Sequence, residues 1–430
     1  RPDPGALVRA LGLPGAADRL AAELDNSVAN LALARTVPSP AGADVLLTAP
    51  LVDLEQCIVD GHPLHPGCRT RLGMSAAEVR AYAPEHRPVV ALNLIAVPPR
   101  RWLGDGPPVL VMHPWQREHR LDRYPWLRDT GERRLARPLM SLRTLALVDR
   151  PDRHVKTAVD VQMTSAVRTV SPAAIHNGPL LSALLARCAP AGLAVLAEVD
   201  AGAAIVDGEP CRSLAHLHRE LPPLHPGEVV LPLAALAAPV DGQPLAAAVA
   251  RTGFGGDPFA FHAAVLAVFL PPLVTLLGLG VALEAHGQNT LLALRQGRPV
   301  RLLYRDFGGV RVSPRRLARH GLPVPPLRGD LVTDEPAQLR AKVLAAALAT
   351  VDAQLITVLA AEFAVAPERF WAQAAAAVRT AFARRADPDR DEDAFFAETL
   401  PIKAMTAMRL AADPLTDIWA ALPNPLARWA

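Results

Sequence analysis

Residues 263–283 carry no charged side chain at all. So long an apolar run has to leave water, either into a bilayer or into a protein core. It reaches the length of about 20 residues that a membrane span requires. Two features favour the core: Pro271-Pro272 interrupts the run, and Glu284 and His286 follow it at once. The run therefore reads as a buried helix pair that leads directly into a polar site, with no membrane span.

Around that segment the chain sorts into three regions. Residues 1–40 hold an Ala/Leu-rich amphipathic stretch, 6–34, readable as one or two helices. From 41 to 225 the pattern is mixed, with apolar runs at 89–97, 109–112 and 145–148 reading as strands and with helices at 75–82 and 180–188. The Pro-rich stretch 221–227 is a junction. Residues 226–430 then turn strongly helical, with long Ala-rich helices expected at 330–364 and 367–384. A hairpin is expected at 300–312, its arms 302–304 and 310–312 flanking an Asp-Phe-Gly-Gly turn, and the acidic 387–393 reads as a solvated loop.

With 430 residues, 51% of them hydrophobic, the chain can bury at least one large core. A net charge of +3 on 45 basic and 42 acidic side chains supplies no strong field for nucleic acid or a membrane surface. Cys57, Cys68, Cys188 and Cys211 are far apart and form no C-x-x-C pair, which fits reduced thiols better than a disulfide framework or a zinc site. Arg1-Pro-Asp-Pro-Gly5 lacks the pattern of a secretory signal, and the reduced thiols fit a cytoplasmic location. The start is not a methionine, and is read as trimmed or as the beginning of a fragment.

Chemistry concentrates in a few short stretches. Lys156, Thr164, Ser165 and Arg168 gather two cations and two hydroxyls, an inventory that holds phosphate oxygens. Two antiparallel strands joined by a short turn would bring Lys156 and Arg168 to one pocket, and 164–168 reads as a strand end entering a helix, whose free amides also favour anions. Ser141 and Arg143 repeat the hydroxyl-plus-guanidinium theme. Glu284, His286 and Asn289 are spaced so that no regular helix aligns them, but a turn at Gly287 would let them converge with Asp306. The oxygen donors Glu284, Asn289 and Asp306 suit Mg2+, whose remaining ligands are waters and phosphate oxygens, while His286 suits neutralising a phosphate or carboxylate. His62 and His65 lie in a rigid Pro-rich loop with no third soft ligand nearby for zinc. Each stretch alone also has an ordinary reading: a basic pair beside a helix cap, a strand with polar alternation, a satisfied core histidine. Residues 400–409 would be a short apolar helix on which Lys403 and Arg409 snorkel.

In sequence order, Gly61–Gly73 with His62, His113-Pro-Trp-Gln116, the 156–168 stretch, 284–289 and Arg305-Asp-Phe-Gly-Gly309 resemble the NRPS-independent siderophore synthetases, the aerobactin synthetase-like or IucA/IucC family. The resemblance runs from Gly61 to Lys403. It implies an α+β, cupped-hand fold: a shortened N-terminal thumb-like helical region (1–40), a mixed-sheet fingers region that binds nucleotide (41–225) and a largely helical palm region (226–430). It implies ATP contacts from His62, Ser141, Arg143, Lys156, Thr164, Ser165, Arg168 and His286, and substrate contacts from Arg143, Arg168, His286 and Lys403. Lys156, Arg168 and His286 would act in catalysis, with Mg2+ on Glu284, Asn289 and Asp306. Arg69 stands where the family usually has Lys, which keeps the charge and changes its geometry. His113-Pro-Trp-Gln116 is an architectural marker, with Trp115 expected to fill core.

The implied reaction activates a carboxylic acid, most simply citrate or a citrate derivative, as an acyl-adenylate, and an amine or hydroxyl then displaces AMP to give an amide or ester. 2-Oxoglutarate and succinyl-type acids stay open, and homodimers are common in the family. Two rivals come from other classes. The Asp306-Phe-Gly308 triplet matches protein kinases, but the H-R-D-x-x-x-x-N loop and the G-x-G-x-x-G loop are missing. A weakened or truncated synthetase acting as a binding or scaffold subunit would lose charged pocket residues, whereas Lys156, Arg168, Glu284, His286 and Asp306 are all present.

Overall fold

The strand-forming runs of the first half assemble, in the computed structural model, into an eight-stranded sheet in which every neighbouring pair is antiparallel. Residues 3–38, 42–383 and 385–430 are described. The ends of the expected 1–40 and 41–225 regions, and Arg384 of the expected 367–384 helix, lie outside them. The strand order is Trp102–Leu103, Ala197–Val206, Glu209–Glu220, Arg153–Thr157, Thr144–Leu147, Arg128–Pro138, Val90–Ala96, Val109–Met112. Alternation gives the sheet two different faces. Ala215 and Leu217 pack with Val170 and Ile175 beneath the helix Pro172–Cys188, whereas Leu214 points the other way, to Ile95, Val97 and Leu110. At Ala158 the chain leaves this sheet, and Val159–Met163 pairs with Arg71–Leu72 and Ala166–Arg168 in a separate three-stranded one.

Several sequence expectations are met locally. The 6–34 stretch forms two helices, Pro4–Ala10 and Ala17–Ala34. The helix Ala76–Tyr82 begins with a reciprocal Ser75–Glu78 capping box. Expected helices 330–364 and 367–384 appear as Pro336–Glu362, through a π-helical segment at Ala347–Asp352, and as Glu368–Ala383. Trp115 is buried, as a core filler should be. The 180–188 helix is the second half of the longer Pro172–Cys188, which continues through Pro179.

Six expectations are corrected, one of them the solvated loop at 387–393: Asp391 opens the helix Asp391–Phe395 and is fully buried against Arg316. The apolar run is one continuous helix, Pro258–Leu279, with both prolines inside it. A proline within a helix costs about 3 kcal/mol, but Phe261, Val265, Leu266, Phe269, Leu270, Leu273, Leu276 and Leu277 are all buried at 2% exposure or less, each contributing roughly 1.5–3 kcal/mol. Packing outweighs the break. By length and composition this helix and Pro336–Glu362 could each cross a membrane, yet both are largely buried within the fold.

The hairpin is also shifted. Arg298–Tyr304 pairs with the preceding Thr290–Arg295 through a turn at Gln296-Gly297, while Arg311–Val312 pairs with Val281–Ala282. Thr290–Arg295 and Arg298–Tyr304, with Glu228–Pro232 and Leu193–Val195, make a four-stranded sheet, so the second half is less uniformly helical than its composition indicates. Finally, Lys403 ends a strand, Thr399–Lys403, paired with Trp419–Pro423, and only Met405–Leu410 is helical.

Arg409 on that short helix does not snorkel. It is 2% exposed and grips Glu23 of Ala17–Ala34 through two guanidinium nitrogens, Nε at 2.7 Å from Oε2, and also donates to the Ser165 carbonyl at 2.7 Å. Arg409→Met would strand the Glu23 carboxylate in the interior, and an unpartnered buried charge costs about 3–5 kcal/mol. Urea unfolding should show a loss of that size, with a smaller one in Glu23→Gln/Arg409→Met, where no charge is left alone.

Candidate active site

Lys156 lies within the large sheet, opposite Leu217 on one side and Thr144 on the other. Its ammonium meets Asp306 at 2.9 and 3.0 Å. Asp306 precedes the 3-10 turn Phe307–Gly309 at φ 70°, a left-handed conformation uncommon outside glycine. Arg219 stands 3.7 Å from Asp306 and 3.3 Å from Glu198, which completes a chain Glu198–Arg219–Asp306–Lys156 of alternating charge. Burial lowers the Lys156 pKa, in spite of Asp306. Burial alone would raise that of Asp306, but Lys156 and Arg219 outweigh it and hold the carboxyl far below its ordinary range. Glu198, more deeply enclosed, is raised by burial against the pull of Arg219 and Lys156.

Above this chain opens a cavity of about 520 Å³, within the range of small-molecule sites. Arg69, Arg71, Arg143, Lys156, Arg168 and Arg212 line it, against the carboxylates of Glu198, Glu284 and Asp306. Arg69 and Arg71 are partly spent on Glu85. Ser171, whose hydroxyl caps the Ala174 amide at 3.1 Å, brings the N-terminal turn of Pro172–Cys188 to the wall as well. Excess cations and a helix N-terminus together make an anion site.

Lys156 and Arg168 reach it from different sheets: Arg168 is paired with Val159 and not with Lys156. Residues 164–165 are the turn of a hairpin and not the entry to a helix, which starts at Pro172. Thr164 sits at φ 57°, an outlier for a β-branched residue, held by its amide to the Thr70 carbonyl at 3.2 Å and by Arg168, which contacts its hydroxyl. Ser165 turns away, its Oγ 2.6 Å from His65 Nε2, and does not line the cavity. Ser141 and Arg143 occupy the turn between Arg128–Pro138 and Thr144–Leu147 and do line it. Arg143 donates to the Thr169 carbonyl at 2.6 Å, and burial, with Arg168 nearby, brings its pKa down to about 10.

On the opposite wall His62 and His286 meet edge to face, centroids 6.5 Å apart. Burial lowers both, His62 to about 4, so neither ring is charged at neutral pH. Glu284 packs so closely on Gly309 that any side chain there would collide with Oε2. Its Oε1 faces Lys342 at 3.5 Å and Lys403 at 3.6 Å, and both lysines also face Asp417, at 3.7 and 3.0 Å. Burial raises the Glu284 pKa, but the charges of Lys342 and Lys403 hold it low. Lys403 therefore stands behind Glu284 and outside the cavity lining. Asn289 joins Glu284 and Asp306 on the wall, three oxygen-bearing side chains of the hard type that Mg2+ takes. A cation held by the two carboxylates would take over the neutralising role that lysines now fill.

Sequence reasoning missed Arg219, Glu198, Arg212, Lys342 and Asp417. Lys342 carried a signal, since the chain has three lysines in 430 residues and all three meet carboxylates here. Arg219 and Glu198 sit inside strands with nothing local to mark them.

A carboxyl held low in the fold adds stability at neutral pH, and that contribution fades as pH falls below the ordinary aspartate value of about 3.9. Asp306→Asn should accordingly be less stable than the parent at pH 7, and the gap should begin to narrow as pH falls from about 4 toward 3, where the unfolded chain takes up the proton first. Denaturant midpoints across that range would show it, and a gap independent of pH would contradict the pairing.

Comparison with known proteins follows the same lines. Residues 50–107 and 100–238 match the model of the IucA / IucC family, and residues 260–414 match one described as ferric iron reductase FhuF-like transporter. Staphyloferrin A synthase of Staphylococcus aureus is 28% identical over 351 residues, covering 70% of this chain and 60% of that protein. The chain thus spans less than two thirds of that relative's length. Among solved structures, the petrobactin biosynthesis protein AsbB of Bacillus anthracis superposes with a TM-score of 0.85 at 21% identity, over 96% of this chain and 79% of that one. ATP-bound aerobactin synthetase IucA of Klebsiella pneumoniae gives 0.83 at 21% identity, over 98% and 85%. The fold is the α+β architecture of these synthetases.

Proposed function

The chain belongs to the IucA/IucC family of NRPS-independent siderophore synthetases, and from that premise we propose that it is an ATP-dependent ligase of siderophore synthesis, joining a carboxylic acid to an amine or hydroxyl. The observation that carries this reading is the cavity itself, where six cationic side chains and a helix N-terminus face three carboxylates already held by lysines or Arg219. Such a site gains by taking in a polyanion. That a structural neighbour is ATP-bound supports ATP as that polyanion.

In the reaction proposed, a carboxylate oxygen of the acid attacks the α-phosphorus of ATP, the bond to the bridging oxygen breaks, and pyrophosphate leaves. The amine nitrogen or hydroxyl oxygen then attacks the acyl carbon, loses its proton, and AMP departs with the former carboxylate oxygen. Lys156, Arg143 and Arg168, with the amides of the Pro172–Cys188 N-terminus, stabilise the charge that builds on phosphate. Thr164 and Ser141 supply neutral hydrogen bonds along the same wall, and His62 supplies one from the opposite wall. Mg2+ on Glu284, Asn289 and Asp306 would supply further neutralisation of the phosphates. Arg143, Arg168 and His286 orient the acid, and Lys403 reaches it when Glu284 is engaged elsewhere. Citrate or a citrate derivative is the acid we favour, and the cytoplasm, where ATP is supplied, is the location. Ser165 serves through position, holding its turn against His65.

Pyrophosphate release from ATP and Mg2+, measured with citrate, succinate derivatives and 2-oxoglutarate, with and without hydroxylamine as surrogate nucleophile, tests this. Release should depend on one acid and fall by roughly 10²–10³-fold in Lys156→Ala and Arg168→Ala, the loss typical of a removed charge stabiliser. Folded protein that releases none with any acid would leave the scaffold reading in its place.

A further inference from the structure

Glu198 and Arg219 lie on the cavity side of the large sheet, and their neighbours along the same two strands face the other way. There, on the far side of the sheet, Asp200, His216 and His218 bring ligand atoms to within 4.8 Å of one another. We propose that these three side chains form a divalent transition-metal site of the zinc class, distinct from the candidate active site and stapling Ala197–Val206 to Glu209–Glu220.

The register creates the cluster. Asp200 is the direct cross-strand partner of His218, and His216, two residues away, projects from the same face. The two imidazoles meet edge to face, centroids 5.1 Å apart at 84°, so they converge without stacking. Nδ1 of His218 is buried with no hydrogen-bond partner, so no protein group competes for it. Burial also keeps both rings unprotonated at neutral pH, the form that binds metal. Two neutral imidazoles and a carboxylate are the donors of a borderline-soft first-row ion, with a coordination position left for water. His216 is 3% exposed while Asp200 and His218 are half-buried, which gives an ion a route from solvent.

Two features oppose loading. His216 Nδ1 accepts the Val111 amide at 3.3 Å, and Arg153 repels positive charge near His218. The hydrogen bond is long and single, and both effects are small beside three coordinate bonds. The ladder is irregular between Glu198 and Asp200, so an ion on Asp200 would pin the bulge that lets Glu198 and Asp200 face opposite sides.

Chelator-treated full-length protein, kept in excess Mg2+ to occupy oxygen-donor sites, can be titrated with Co2+ and then Zn2+. The expected result is a single tight Co2+ site showing the intense visible absorption of low coordination number, displaced by Zn2+, with Zn2+ raising the Tm. The band should vanish in both His218→Gln and Asp200→Asn and persist in Glu284→Gln. Circular dichroism checks the folding of each variant, and either of the two ligand variants suffices if the other misfolds. Absence of micromolar binding, binding that survives both ligand substitutions, or binding lost with Glu284→Gln would each overturn the proposal.

Discussion

Asp306 is the point on which the cavity depends. One carboxylate, a third of it open to the cavity, faces both Lys156 and Arg219, and Arg219 in turn leans on Glu198. Without it, Lys156 would lose its ion-pair partner and Arg219 would keep only Glu198, leaving two buried cations against one carboxylate. Asp306 can do this because Asn289 ties the backbone just before it, accepting the Arg305 amide at 3.0 Å, and because the turn that follows begins from an unusual left-handed conformation. The second wall repeats the device: Glu284 neutralises Lys342 and Lys403 jointly with Asp417. In both places a carboxylate suited to a hard cation keeps a lysine in place, so the walls' own charges satisfy one another and the same groups can be redistributed by an anion and its counter-cation.

What delivers these groups is the pleat of one sheet. Alternation puts Lys156 and Arg219 on the cavity side of adjacent strands, and the irregularity after Glu198 returns Asp200 to the opposite side. The same two strands therefore serve two chemistries back to back. The helix Pro172–Cys188 packs on the cavity side over Ala201, Ala203, Ala215 and Leu217, and this packing is what aims its N-terminal turn at the anion site.

Much of the candidate site was legible because its residues come in short runs of unlike chemistry. His62, Ser141, Arg143, Lys156, Thr164, Arg168, Glu284, His286, Asn289 and Asp306, scattered over the chain, all reach one cavity. Ser165 and Lys403 do not, for reasons that lie beyond local sequence: a hairpin turn aims Ser165 at His65, and Lys403 sits behind Glu284 on a strand whose partner, Trp419–Pro423, is joined to it by no local pattern. Arg219 and Glu198 were illegible because a buried charge inside a strand is indistinguishable, in one dimension, from an exposed one on its polar face. Scarcity was the better guide. Where arginine serves for nearly every cation, the three lysines that remain mark positions where a compact charge on a flexible stem is needed.

The fold shows a similar division between local and distant causes. The short helix at 75–82 and the strand runs at 89–97 and 109–112 were readable because their determinants lie within a few residues. The prolines at 271 and 272 misled for the converse reason. Their local preference is to break a helix, but the segment is apolar on all sides and is enclosed by the helix Glu368–Ala383 and by a sheet whose last strand ends at Tyr304, two residues before Asp306. Breaking it would expose the very surface that supports that strand. The helix thus stays continuous because tertiary burial exceeds what two prolines cost, and Glu284 and Asp306, at the ends of the segments it supports, inherit their positions from that balance.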